Sequence, residues 1–194
     1  MYEVIGSLKS RTFRVIWALE ELGAPYTHIA EPPRSEVVRA MNPSGKIPIL
    51  RDGDAILTDS AAILSYLADK HGKLTFPPGT VERARQDAFS HSLLDEVDSL
   101  LWTAARHSFI LPEELRVPAI KATLKWEFEQ NMSKLAKKIQ GPFLMGEVMT
   151  TADILATHCI SWAKTACFPL QQDIIKTYFD RMTNRPAYQR AVGE

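Results

Sequence analysis

Three short stretches of this 194-residue chain carry residue types that could do chemistry. The first is Ser7-Leu8-Lys9-Ser10-Arg11-Thr12, between a strand-like and a helix-like segment. Hydroxyls and cations at the positive dipole end of a helix favour a thiolate over a thiol. The same residues also suit a solvated loop in which Ser10 or Thr12 caps the helix. The second stretch is Ile47-Pro48, at the start of an apolar run. Proline gives no N–H to a sheet ladder, so it either sits on an edge strand or follows a cis bond that turns the preceding backbone outward. In the latter case Ile47 offers its N–H and C=O to an extended peptide ligand, as in strand addition. The third is Thr58-Asp59-Ser60 at a helix start, where exposed N–H groups suit a carboxylate. Ser60 adds a hydroxyl donor and Asp59 could accept from an ammonium group, which together match an α-amino acid. An ordinary N-cap accounts for the same residues.

Other chemistries find less support. His28, His71, His91, His107 and His158 show no metal-ligand spacing beside cysteine or carboxylate, so no metal is expected. No nucleophile elbow is present. Cys159 and Cys167 fall in an apolar helical stretch and are expected to be two buried free thiols. Trp102, Trp126 and Trp162 lie on predicted helices and are expected in the core. Lys plus Arg equal Asp plus Glu at 23 each, with no long run of one sign, so nothing points to nucleic acid. No apolar segment approaches the roughly 20 residues that cross a bilayer, and no basic leader precedes an apolar stretch, so a cytosolic location is expected.

The elements that would position these residues follow from periodicity. Tyr2 to Gly6 predicts a strand, Thr12 to Leu22 a helix stopped by Gly23, and Pro25 to Ala30 a second strand, giving a βαβ opening. Ser35 to Met41 is a short helical possibility. Two apolar runs around Asp52-Gly53 predict a hairpin with a type I′ turn. Asp59 then caps a helix from Ser60 to about His71. The order βαβ then ββα predicts a small mixed sheet covered by helices. Residues 72–79, with Pro77-Pro78, form the domain boundary, separating residues 1–76 from 77–194. Beyond it the pattern is helical: Val81 to about Arg106, with Ala84, Ala88, Leu93, Val97, Leu100 and Leu101 on the apolar face, then roughly Glu113 to Ile139, then Thr151 to Ala166. Thr150 and Asp153 form a potential capping box for the last of these.

Taken in order, Arg14-Val15 through Ala18-Leu19-Glu20-Glu21-Leu22-Gly23, Asn42-Pro43-Ser44-Gly45-Lys46-Ile47-Pro48-Ile49-Leu50, Thr58-Asp59-Ser60-Ala61-Ala62-Ile63 and Tyr66-Leu67 resemble the glutathione transferase family. Gly146 followed by Thr150-Thr151-Ala152-Asp153-Ile154 extends the resemblance into the second half.

That resemblance implies a thioredoxin-like N-terminal domain that binds glutathione and an all-helical C-terminal domain. It implies that Ile47 pairs its backbone with the cysteinyl part of glutathione beside cis Pro48. Asp59 and Ser60 would hold the γ-glutamyl end, and Lys46 the carboxylate region. Ser10 is the preferred activating hydroxyl. Several serine-type classes would place that hydroxyl at Lys9, the proline that commonly follows it is missing, and Ser7, Lys9 and Arg11 remain alternatives. Trp102, Arg106 and His107 are candidates for lining a second-substrate pocket. The implied activity is conjugation of glutathione to a small electrophile in a homodimer. Glutathione-dependent disulfide reduction, isomerisation, or a non-catalytic binding role stand as alternatives.

Overall fold

In the computed structural model, which describes residues 1–193, β1 (Tyr2–Ile5) runs through the middle of a four-stranded mixed sheet. The strand order is β2-β1-β3-β4, with β2 (Tyr26–Ile29) parallel to β1, and β3 (Ile49–Asp52) and β4 (Ala55–Thr58) antiparallel along the other side. The two inner strands must be apolar on both faces, which is why Val4, Ile5, Ile49 and Leu50 form unbroken apolar pairs and are all buried. Helix α1 (Thr12–Leu22) buries Val15, Ile16, Trp17 and Leu19, and ends at Gly23, whose φ of 66° closes the last turn. Helix α2 (Glu36–Met41) places Val38 against Ile5 and Ile49, and α3 (Ser60–His71) buries Ile63, Leu64 and Leu67.

The hairpin differs from expectation by one residue. Asp52 pairs with Ala55, so the turn centre is Gly53-Asp54, not Asp52-Gly53. Only Gly53 has a positive φ, 59°, which is the pattern with glycine at the first central position and not the doubly positive type I′.

Contacts divide the chain into two units: Met1–Thr80 with the tail from Thr183, and Val81–Met182. The tail carries α9 (Pro186–Val192), which packs on α1 within the first unit. Tyr188 stands edge-on to Phe13 and Trp17, with centroids 5.2 and 4.9 Å away. Arg185 forks onto Glu21 at 2.6 and 2.7 Å, and Arg190 reaches Glu20 at 2.7 Å. Tyr26 donates to Glu20 at 2.8 Å, and burial together with that neighbour pushes its hydroxyl pKa up to about 12.

The second unit is helical. Helix α4 (Val81–Leu93) passes through a π-helical stretch at Leu94–Asp98 into α5 (Ser99–Ala105) and a second such stretch at Arg106–Ile110. Ala84 and Ala88 are exposed, contrary to the apolar-face expectation. Leu93, Val97, Leu100 and Leu101 of the same expected face are buried, and so is Gln86, whose amide reaches the Thr151 hydroxyl at 3.4 Å. The next helix, α6 (Ile120–Lys138), starts well after Glu113. Only a 3-10 turn forms at Glu113–Leu115, because Pro118 forces the residue before it out of the helical region. Helix α7 (Thr151–Thr165) is the most buried and α8 (Asp173–Thr183) lies alongside its start.

Asp153 organises that start. Its carboxylate accepts from the backbone N–H of Leu144 (2.9 Å) and of Thr150 (2.8 Å), from the Thr150 hydroxyl (3.2 Å) and from the Tyr178 hydroxyl (2.9 Å). Burial raises the pKa of this carboxyl, and the same hydrogen bonds oppose the rise. Among the described residues no helix is long and apolar enough to cross a membrane.

Candidate functional site

Register brings the three candidate segments to one end of the sheet. Ile5 is opposite Ile49, and Ile49 is opposite Thr58. The chain therefore leaves β1 into the Gly6–Arg11 loop, enters β3 from Ile47-Pro48, and leaves β4 into Asp59-Ser60, all along the same edge. Gly6 is where the first two meet. A Cβ there would fall 2.2 Å from Thr12 Oγ1 and 3.0 Å from the Ile47 Cβ, and its φ of 144° is one that side-chain-bearing residues avoid. His28 fixes the same point with its Nε2 2.7 Å from the Gly6 carbonyl oxygen.

The Ile47-Pro48 bond is cis. Ile47 is half-buried, and among the described residues no hydrogen bond reaches its N–H or C=O. The segment before it is tied off internally, with Asn42 Nδ2 donating to the Lys46 carbonyl at 3.0 Å and Lys46 N–H to Ser44 Oγ at 3.3 Å. Lys46 itself is exposed, and its ammonium has no anionic partner among the described residues.

Asp59 is the N-cap of α3, its Oδ1 accepting from Ala61 N (2.9 Å) and Ala62 N (3.1 Å). Its φ of 71° and ψ of 121° lie outside the regions that L-residues ordinarily occupy. Such backbone strain persists only where the surroundings enforce it, and it concentrates at ligand sites. Ser60 is buried, and its Oγ accepts from Arg14 Nη1 at 3.3 Å. Arg14 was not singled out as a site residue by sequence, yet it is fully buried. A buried guanidinium beside the N-terminus of α3 makes that place doubly favourable for an anion. The only sequence signal was its position among the apolar residues of α1.

The Ser7–Thr12 loop resolves differently from its simplest reading. Ser10 Oγ donates toward Ser7 O at 2.6 Å, lies 2.9 Å from Thr12 Oγ1, and accepts from Thr12 N at 3.1 Å. The single hydrogen of Ser10 thus already has an acceptor. Ser7 Oγ accepts from Lys9 N at 3.3 Å, and among the described residues its own hydrogen has none. Lys9 is exposed, and Arg11 is half-buried.

Trp102, Arg106 and His107 all lie in the second unit and are half-buried. Arg106 Nη2 reaches Thr103 Oγ1 at 3.2 Å, while its buried Nε has no hydrogen-bond partner among the described residues. His107 Nδ1 accepts from Val117 N at 3.1 Å. Two expectations about bulk packing fail. Cys167 is exposed just past α7, at a φ of 54°, and only Cys159 is buried. Trp126 is 63% exposed, because it projects from the outer side of α6.

A thioredoxin-like domain followed by a helical domain is the class that this fold defines. Residues 5–77 match the N-terminal domain of glutathione S-transferases. Glutathione S-transferase 1 of Zea mays is 28% identical over 202 residues, covering 93% of this chain and 90% of its own. Glutathione S-transferase theta-1 of Bos taurus is 35% identical over 133 residues, covering 63% and 54%. The theta class enzyme of Xanthomonas axonopodis pv. citri, solved with glutathione bound, superposes with a TM-score of 0.80 at 26% identity, covering 100% of this chain and 97% of that one. Residues 5–77 of the chain are the N-terminal domain of the glutathione S-transferase family. The chain spans just over half the length, 53–61%, of the curated relatives that it matches at 31–35% identity.

Proposed function

We propose that this protein is a glutathione S-transferase that binds glutathione on the first unit and transfers its sulfur to a small electrophile. The observation that carries this is the convergence at one sheet end of an unpaired Ile47 backbone, the strained Asp59 cap with Ser60, and a hydroxyl-bearing loop. In this reading Ile47 pairs with the cysteinyl backbone of glutathione. Ser60 and the N-terminus of α3, backed by Arg14, take the γ-glutamyl carboxylate, and the outer oxygen of Asp59 takes its ammonium. Lys46 takes the glycyl carboxylate. Trp102, Arg106 and His107, all half-buried, contact the second substrate. A homodimer in the cytosol completes the proposal.

The chemistry is activation of a thiol whose ordinary pKa is about 8.5. A hydrogen bond to sulfur at the start of α1 lowers it, so the thiolate is present at neutral pH. The thiolate then forms a bond to an electrophilic carbon as the leaving group departs with its electron pair. Ser10 can serve if its hydrogen swings from the Ser7 carbonyl to the sulfur. Ser7 can serve without any such change, which makes it the second reading.

Ser10→Ala and Ser7→Ala decide between them in an aryl-halide conjugation assay. The variant lacking the activating hydroxyl should lose about ten- to a hundredfold in kcat, with glutathione KM nearly unchanged and the inflection of the pH–rate profile shifted upward by one to two units. If neither variant moves kcat or the profile, hydroxyl activation is wrong. Parallel assays with a disulfide and an isomerisable diacid test the neighbouring activities. Retention on immobilised glutathione without turnover of any of the three would leave a binding protein.

A further inference from the structure

We propose that Asp98, His158 and Cys159 form a binding site for one soft divalent cation of the zinc class, inside the helical unit. Their donor atoms, one each of oxygen, nitrogen and sulfur, all lie within 4.8 Å of one another. Cys159 Sγ is 3.8 Å from Asp98 Oδ2. Zinc bond lengths of about 2.0–2.3 Å put tetrahedral donors roughly 3.3–3.7 Å apart, so the three atoms need to converge by only about an ångström. His158 and Cys159 are neighbours on α7. Asp98 comes from 61 residues earlier than Cys159, which is why spacing along the sequence gives no sign of the cluster.

The surroundings suit a cation. Asp98 is 6% exposed and Cys159 1%, and the Cys159 thiol already donates to Asp98 Oδ2. On metal binding a dication balances the carboxylate and the thiolate formed there, and a neutral imidazole completes the set without adding charge. The mixed sulfur, nitrogen and oxygen donors select zinc or cobalt over calcium or magnesium, which take oxygen alone. Asp98 is the last residue of the first π-helical stretch, an irregularity often found where a helix must re-aim a side chain at a site. His158 is half-buried and stands edge-on to Trp162, with ring centroids 6.2 Å apart, and water supplies the fourth ligand. On binding, the Cys159 S–H bond breaks, the metal–sulfur bond forms, and the proton passes to solvent.

Cobalt(II) is the probe. The chelator-washed full chain, without glutathione, is titrated with Co²⁺ while the thiolate-to-cobalt charge-transfer band and the visible ligand-field bands are followed. Saturation at one equivalent is expected, with both sets of bands. The charge-transfer band should vanish in Cys159→Ser and persist in Cys167→Ser. In His158→Gln the affinity should fall at least about tenfold. Circular dichroism checks that each variant is folded. Should Cys159→Ser not fold, the half-buried His158→Gln decides alone, and undiminished affinity there overturns the site. Absence of a charge-transfer band in the parent protein, its survival in a folded Cys159→Ser variant, or its loss in Cys167→Ser would also overturn it.

Discussion

Gly6 controls the geometry of the candidate site more than any residue with a functional group. The strand β1 ends on it, and both the start of α1 and the Ile47 side chain close on the space where its side chain would be. Gly6→Ala combines a disfavoured φ with a clash against Thr12, and each effect costs about 1–3 kcal/mol. The variant is expected to be destabilised by roughly 2–5 kcal/mol in a denaturant melt and to lose at least tenfold in glutathione affinity by calorimetry. Wild-type affinity would show that the loop and the cis Pro48 segment do not act together. Asp59 and Pro48 were legible in the sequence because capping and the missing N–H are local properties. The burial of Arg14 was not legible, since a charge among apolar residues looks the same whether it faces water or Ser60. Nor was the engagement of Ser10, which depends on the path of four residues.

The elements show a similar division. Helix α7 begins where Thr150 and Asp153 predict, because a capping box is written within four residues. The sequence could not reveal that Leu144 and Tyr178 converge on the same carboxylate. Asp153→Ala removes the cap and strands two buried N–H groups, a loss of roughly 3–5 kcal/mol. Asp153→Asn keeps the shape and part of the bonding, so it should lose less. Equal melting temperatures for Asp153→Ala and the parent would deny the cluster any structural weight. Elements elsewhere were misjudged for physical reasons. Pro118 delays α6 despite good helix formers before it, and Gly53 takes the first turn position because the register places Asp52 on the ladder.

At the scale of the whole molecule, the return of the tail to the first unit could not be read from composition. Arg185 and Arg190 find Glu21 and Glu20 across 164 and 170 residues, a separation that no local pattern encodes. Removing the chain from Asn184 onward takes away two aromatic edge contacts and the Arg185–Glu21 fork. It should cost the first unit roughly 3–5 kcal/mol. Trp17, which is fully buried and donates to Glu21 at 3.0 Å, reports the change: its fluorescence should move to the red. An unchanged emission maximum and melting curve would show that α9 is dispensable.

The same tail sets an order of events during synthesis. Residues 1–80 leave the ribosome first but lack the helix that covers Phe13 and Trp17 until Arg185 and Tyr188 have also emerged. At about 5–20 residues per second, the intervening hundred or so residues take roughly 5–20 seconds. Through that interval the nascent first unit carries an aromatic patch open to chaperones, and α9 closes it once it emerges.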